Sequence, residues 1–187
     1  MRRLLPVLWF CLAAVFPVAL AAQADRPGDW RTKLTSELPR LGHRNWILVV
    51  DSAYPLETSA GIETVETNAP MLEVVRGVLD EIGRSQHVRP TILIDAELNH
   101  VPESDAPGVG GYRSQIGELL KEQTVVRMPH EKLLATMEKQ AEQFHVLVLK
   151  TTATLPYSSV FIRLDCRYWS DDAEAQLRAV MSQARPE

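Results

Sequence analysis

The chain has 187 residues, 45% of them hydrophobic and 24% charged, with a formal net charge of −4. That length suits one domain with its own core, and that composition excludes a largely disordered chain, a collagen-like repeat and a disulfide scaffold. The acidic balance, with a sequence pI near 5.8, argues against nucleic acid as a partner.

Residues 1–24 read as a secretory signal peptide. Arg2 and Arg3 give a basic start, Leu4 to Ala22 carries no charge, and Ala22-Gln23-Ala24 ends the run with small residues at cleavage spacing. Pro6 and Pro17 break the run, which favours cleavage over a lasting membrane anchor. The chain is therefore expected to be periplasmic or secreted, with no membrane contact after processing. Cleavage removes Arg2 and Arg3, moving the formal charge from −4 to −6, and removes Cys11, leaving Cys166 without a partner for an intrachain disulfide. An exported chain with no G-x-x-x-x-G-K-[ST] loop is not expected to be a kinase.

Residues 25–33 are expected to be a linker and 34–187 a single domain, although Trp30, Leu34, Leu38 and Leu41 recur at the spacing of a short helix from Trp30 to Leu41. Trp46 to Val50 is a run of buried-strand type. Ile62 to Thr67 alternates as a short strand. A helix follows, with Asn68 as candidate cap, Pro70 in its first turn, an apolar stripe from Met71 to Ile82, and Gly83 as its stop. Pro90 to Asp95 is a second buried strand. Val101 to Tyr112, rich in proline and glycine, reads as a loop, and a helix is expected from Tyr112 to Lys121. Thr124–Met128, His145–Lys150 and Val160–Leu164 are strands, Pro129–Phe144 a helix, and Asp171–Ser182 a closing helix. This alternation predicts an α/β fold: one mixed or mostly parallel sheet flanked by helices.

Polar residues stand beside the strand ends, where α/β proteins usually bind ligands. They are His43 before the first strand, Asp51 at its end, His130 at a helix start, and Tyr157 with Ser159 before the last strand. Glu97, also near a strand end, could reach such a site. No H-x-x-x-H, H-E-x-x-H or cysteine-rich spacing supports a metal, and no G-x-S-x-G supports a serine nucleophile, so neither is expected.

Four stretches occur in one order: Leu41-Gly42-His43 followed by a strand and Asp51; Gly61 to Pro70; Met128-Pro129-His130-Glu131; and Pro156-Tyr157-Ser158-Ser159. Together they resemble the D-ribose pyranase and L-fucose mutarotase family, over about residues 34–166. The resemblance implies a cofactor-free interconversion of cyclic forms of a monosaccharide, and ring-shaped homo-oligomers with sites near subunit boundaries. It places the catalytic histidine on His43 and sugar contacts on Asp51, His130 and Tyr157. Ser159 stands where the family has asparagine, and Asn45 where it often has aspartate. The tail after Cys166, with Tyr168 and Trp169, is longer than the family's.

The chemistry suits these residue types. Opening a hemiacetal needs a base for the anomeric hydroxyl proton and an acid for the ring oxygen, and imidazole serves both near neutral pH. The expectation is an exported sugar mutarotase or pyranase-like isomerase with His43 as acid/base, Asp51 orienting it or binding a hydroxyl, His130 and Tyr157 binding the sugar or relaying the second proton, and Ser159 contacting the sugar. The rival is a carbohydrate-binding or sensing protein on the same fold without turnover.

Overall fold

A computed structural model describes residues 29–183. The expected signal peptide and residues 25–28 of the expected linker lie outside the described residues. The elements are α1 (Trp30–Glu37), β1 (Trp46–Val50), β2 (Ile62–Glu66), α2 (Met71–Arg84), β3 (Val88–Asp95), α3 (Val109–Leu120), β4 (Val125–Met128), α4 (His130–Ala141), β5 (Val146–Lys150), β6 (Val160–Cys166) and α5 (Asp171–Gln183).

The six strands form one mixed sheet in the order β2-β5-β1-β6-β3-β4. β1 and β5, β2 and β5, and β3 and β4 run parallel; β6 runs antiparallel between β1 and β3. Five strands therefore end at one edge of the sheet, and β6 begins there. That edge collects the loops after β1, β3 and β4 and the loop before β6.

Side chains alternate across the sheet, as the period of two requires. Ile47, Val49, Ile92, Ile94, Leu147, Leu149, Val160 and Ile162 pack on one face with α1, α2 and α3. Trp46, Leu48, Val50, Leu93, Val146, Val148 and Phe161 pack on the other with Leu133, Met137 and Ala141 of α4. Both faces of the central strands are covered, which is why β1 reads as an unbroken apolar run rather than an alternating one. α5 buries no residue, and Leu177, Val180 and Met181 on it stay exposed.

Four local expectations change. Residues 30–33 are not linker: Asp29 caps α1 by accepting from the Thr32 N–H, and Trp30 is 2% exposed in the core. Trp30 sits so close to α2 that a Cβ added at Gly77 would come within 2.5 Å of its ring. Asn68 does not cap α2. It adopts φ 51°, and Pro70 is the capping residue. Gly83 lies inside α2, which ends at Arg84 with Ser85 as its C-cap. Finally, α3 begins at Val109, three residues before the expected start, with Gly110 and Gly111 in its first turn. Gly108 enters it at φ 93°, a conformation that favours glycine. The Glu103 carboxylate accepts from the N–H groups of Gly108 and Gly110, supplying from the side the cap that the sequence run itself lacks.

Candidate functional site

The strand-ending edge carries a cluster of polar side chains. Asp51 follows β1. Its carboxylate accepts from the Ala53 N–H at 2.8 Å and from the Ser159 hydroxyl at 3.0 Å, and the Asp51 N–H donates back to Ser159 Oγ at 3.3 Å. Ser159 is 4% exposed. Its hydroxyl is therefore committed to Asp51, and it positions that carboxylate across the gap between β1 and β6.

His130 opens α4. Its backbone N–H donates to both Glu97 oxygens, at 3.0 and 3.1 Å. Glu97 comes from the 3-10 turn Ala96–Asn99, so one acidic side chain satisfies the free donor at the helix start. Those backbone hydrogen bonds hold the Glu97 carboxyl below its ordinary pKa. The His130 ring meets Asp95 Oδ1 through Nδ1 at 3.0 Å. The Asp95 side chain is fully buried, while that of His130 is 34% exposed. Burial pushes the Asp95 carboxyl above its ordinary pKa against the opposing pull of His130, with the Glu97 and Asp51 charges adding to the rise. Asp95 Oδ2 is buried without a hydrogen-bond partner, a cost of about 1–3 kcal/mol.

Tyr157 completes the group. Its ring stands edge-on to His130, with centroids 5.3 Å apart and planes at 85°. Its backbone takes φ 56°, a rare conformation for an aromatic residue. The loop is held there because Ser158, next to it, is buried, with its hydroxyl donating to the Leu155 carbonyl and its own carbonyl accepting from the buried Tyr112 hydroxyl. Strain at a half-exposed tyrosine above a histidine–carboxylate pair is the pattern expected of a working site.

His43 lies elsewhere. It precedes β1, where the Arg44 N–H donates to the Leu164 carbonyl near the end of β6, so it stands at the opposite edge of the sheet from Asp51. Its carboxylate neighbour is Asp165, 3.8 Å from Nδ1. Asp165 in turn accepts from Thr91 and from two nitrogens of Arg163. Although burial opposes it, these donors hold the Asp165 carboxyl below its ordinary pKa. Asn45 shapes the His43 turn: its Oδ1 accepts from the Gly42 N–H at 2.7 Å and its Nδ2 donates to the His145 carbonyl. Within one chain, then, Asp51 does not orient His43.

Asp51, His130, Tyr157 and Ser159 come together; His43 does not join them. Asp95 was not singled out by the sequence, although it ends β3 and Asp51 directly follows β1, and the same strand-end rule points to both. Several grooves lie away from the cluster, among them one of about 760 Å³ between α2 and α3 and one of about 550 Å³ beside His43, Trp46 and Arg163. The cluster itself lies along the sheet edge. Among the described residues no three His, Cys, Asp or Glu side chains are grouped to hold a metal.

A mixed α/β sheet with a histidine–carboxylate cluster at its strand-ending edge defines the class. The chain belongs to the RbsD / FucU transport protein family, whose model matches residues 30–166. Among solved structures, Bacillus subtilis RbsD complexed with D-ribose aligns with a TM-score of 0.52 and 17% identity, covering 75% of this chain and 96% of that one. The fucose mutarotase of Streptococcus pneumoniae, in complex with L-fucose, aligns with a TM-score of 0.44 and 20% identity, covering 70% and 89%. FucU from Bifidobacterium longum aligns at 0.48 and 13%, covering 71% and 92%. No curated protein sequence matches the chain. The expected family and fold class are thus borne out, and α5 lies beyond the matched residues.

Proposed function

We propose that this chain is an exported monosaccharide mutarotase or pyranase-like isomerase that opens and recloses the ring of a reducing sugar without a cofactor. The observation that carries this reading is the convergence of the Ser159–Asp51 and Asp95–His130 pairs beneath Tyr157 at one sheet edge. Such a cluster offers what the reaction needs: a carboxylate to hold sugar hydroxyls, an imidazole to move a proton, and an aromatic ring as a wall. Membership of the family and its sugar-complexed relatives support the same direction.

In this reading His43 supplies the second acid/base from a neighbouring copy. It is 55% exposed at the far edge, so in a closed ring of subunits one copy's His43 turn would face the next copy's cluster. Imidazoles from two chains then take and give the two protons that ring opening exchanges. Asp51 binds a sugar hydroxyl, and Tyr157 packs against the sugar.

Sugar titration of 15N-labelled protein locates the site. Resonances of Ala53, His130 and Tyr157 should shift with the cognate sugar. Asp51→Ala should weaken binding by about 10- to 100-fold, the worth of hydrogen bonds to a charged group. Unchanged affinity in that variant, or shifts confined to the α2–α3 groove, would remove the site from the strand-ending edge.

A further inference from the structure

We propose that Asp95 is a positioning residue that fixes the tautomer of His130, so that Nε2 is left free as the proton acceptor in ring opening. This rests on the isomerase reading above and assigns the proton-accepting atom within it.

An ionised carboxylate has acceptors only, and Asp95 Oδ1 lies 3.0 Å from Nδ1. With Asp95 ionised, the proton of the neutral ring sits on Nδ1, and Nε2 carries the lone pair. Among the described residues Nε2 has no hydrogen-bond partner, and the side chain is one-third exposed, whereas Asp95 is fully enclosed. The ring is also held from behind. The His130 backbone is tied to Glu97, and Tyr157 stands edge-on at 5.3 Å.

Asp95 has no other contact that explains its place. It ends a strand whose preceding positions Ile92, Leu93 and Ile94 are all buried and apolar. Its second oxygen is buried and unpartnered. The titratable groups facing it are His130 from α4, Glu97 from the 3-10 turn, Asp51 after β1 and Tyr112 from α3. Of these, His130 gives it a hydrogen bond. A buried carboxylate kept at such cost against one ring nitrogen is the arrangement that orients a working imidazole.

Nε2 takes the proton of the anomeric hydroxyl while the bond from the anomeric carbon to the ring oxygen breaks. That electron pair stays on the ring oxygen, which takes a proton from the second imidazole, and the open-chain aldehyde forms. Reclosure on the other face, or through another hydroxyl, reverses both transfers.

Long-range 1H–15N correlation spectra of labelled protein, taken where the ring is neutral, read the tautomer directly. The wild type should show His130 protonated on Nδ1 and bare on Nε2. Asp95→Asn, which keeps the shape, should populate the Nε2–H tautomer and lower kcat by about 100-fold, within the range lost with a general base, while KM stays within about 3-fold. A wild-type proton on Nε2 overturns the proposal, as does an Asp95→Asn protein whose turnover stays within about 3-fold of wild type. If the wild type turns over no sugar, the isomerase reading fails instead, and the two spectra alone decide whether Asp95 sets the tautomer.

Discussion

Mixing His43→Ala protein with His130→Ala protein should restore sugar-ring exchange that neither variant supports alone. Each variant should lose about 100- to 10,000-fold in turnover, the range for removing one acid/base partner. His43 and His130 lie at opposite edges of the sheet, one before β1 and the other after β4. A site that uses both must draw them from two chains. Dissociating and reassembling the variants at equal amounts then gives about a quarter of the boundaries both intact side chains in a closed homo-oligomer, and activity should recover to about that fraction. A site built within one chain recovers nothing on mixing. Recovery therefore tests at once the oligomer and the division of labour between the two histidines.

Trp30→Ala should destabilise the fold by about 3–5 kcal/mol, the cost of emptying a buried aromatic site. Trp30 is 2% exposed, packs within α2 so closely that Gly77 has no room for a side chain, and carries the Arg31 guanidinium over its ring at 4.2 Å. Nothing smaller can fill that space without moving α1 off α2. Because domains are stable by about 5–15 kcal/mol in all, the loss should be plain in urea or thermal unfolding. A change below about 1 kcal/mol would mean that α1 is peripheral and that the domain begins later, as the polar stretch before residue 34 suggests.

That contrast shows what local sequence conveys. The strands were legible because β1, β3, β5 and β6 are buried on both faces and so are written as runs of apolar residues. The mixed α/β architecture followed from their alternation with amphipathic helices. Helix α1 was legible from Trp30, Leu34, Leu38 and Leu41 at helical spacing, but the domain boundary was drawn late because the polar residues Arg31 to Lys33 follow its anchoring tryptophan. The start of α3 was obscured because its cap, Glu103, lies several residues upstream and acts through space. Glycines at 110 and 111 signal a loop only when such a cap is unseen.

The candidate site was legible in part for a similar reason. Asp51, His130, Tyr157 and Ser159 stand next to strand ends in the chain, and the sheet brings those ends to one edge. Ser159 reads as a shorter stand-in for asparagine, yet its hydroxyl is bound to Asp51. A strand of five residues separates His43 from Asp51, which places them at opposite ends of it. Closeness in sequence across a strand is distance in space. Asp95 was hidden by the apolar run that it ends, since a carboxylate there serves equally as a turn residue until its partner 35 positions later is known.

The most direct test of the account is exchange spectroscopy of reducing sugars, with D-ribose, L-fucose, D-galactose, D-glucose and D-xylose each observed by NMR with and without the protein. The account predicts that the protein accelerates exchange between the ring forms of at least one of them. Sugar binding with no faster exchange would contradict it and leave a carbohydrate-binding protein on this fold.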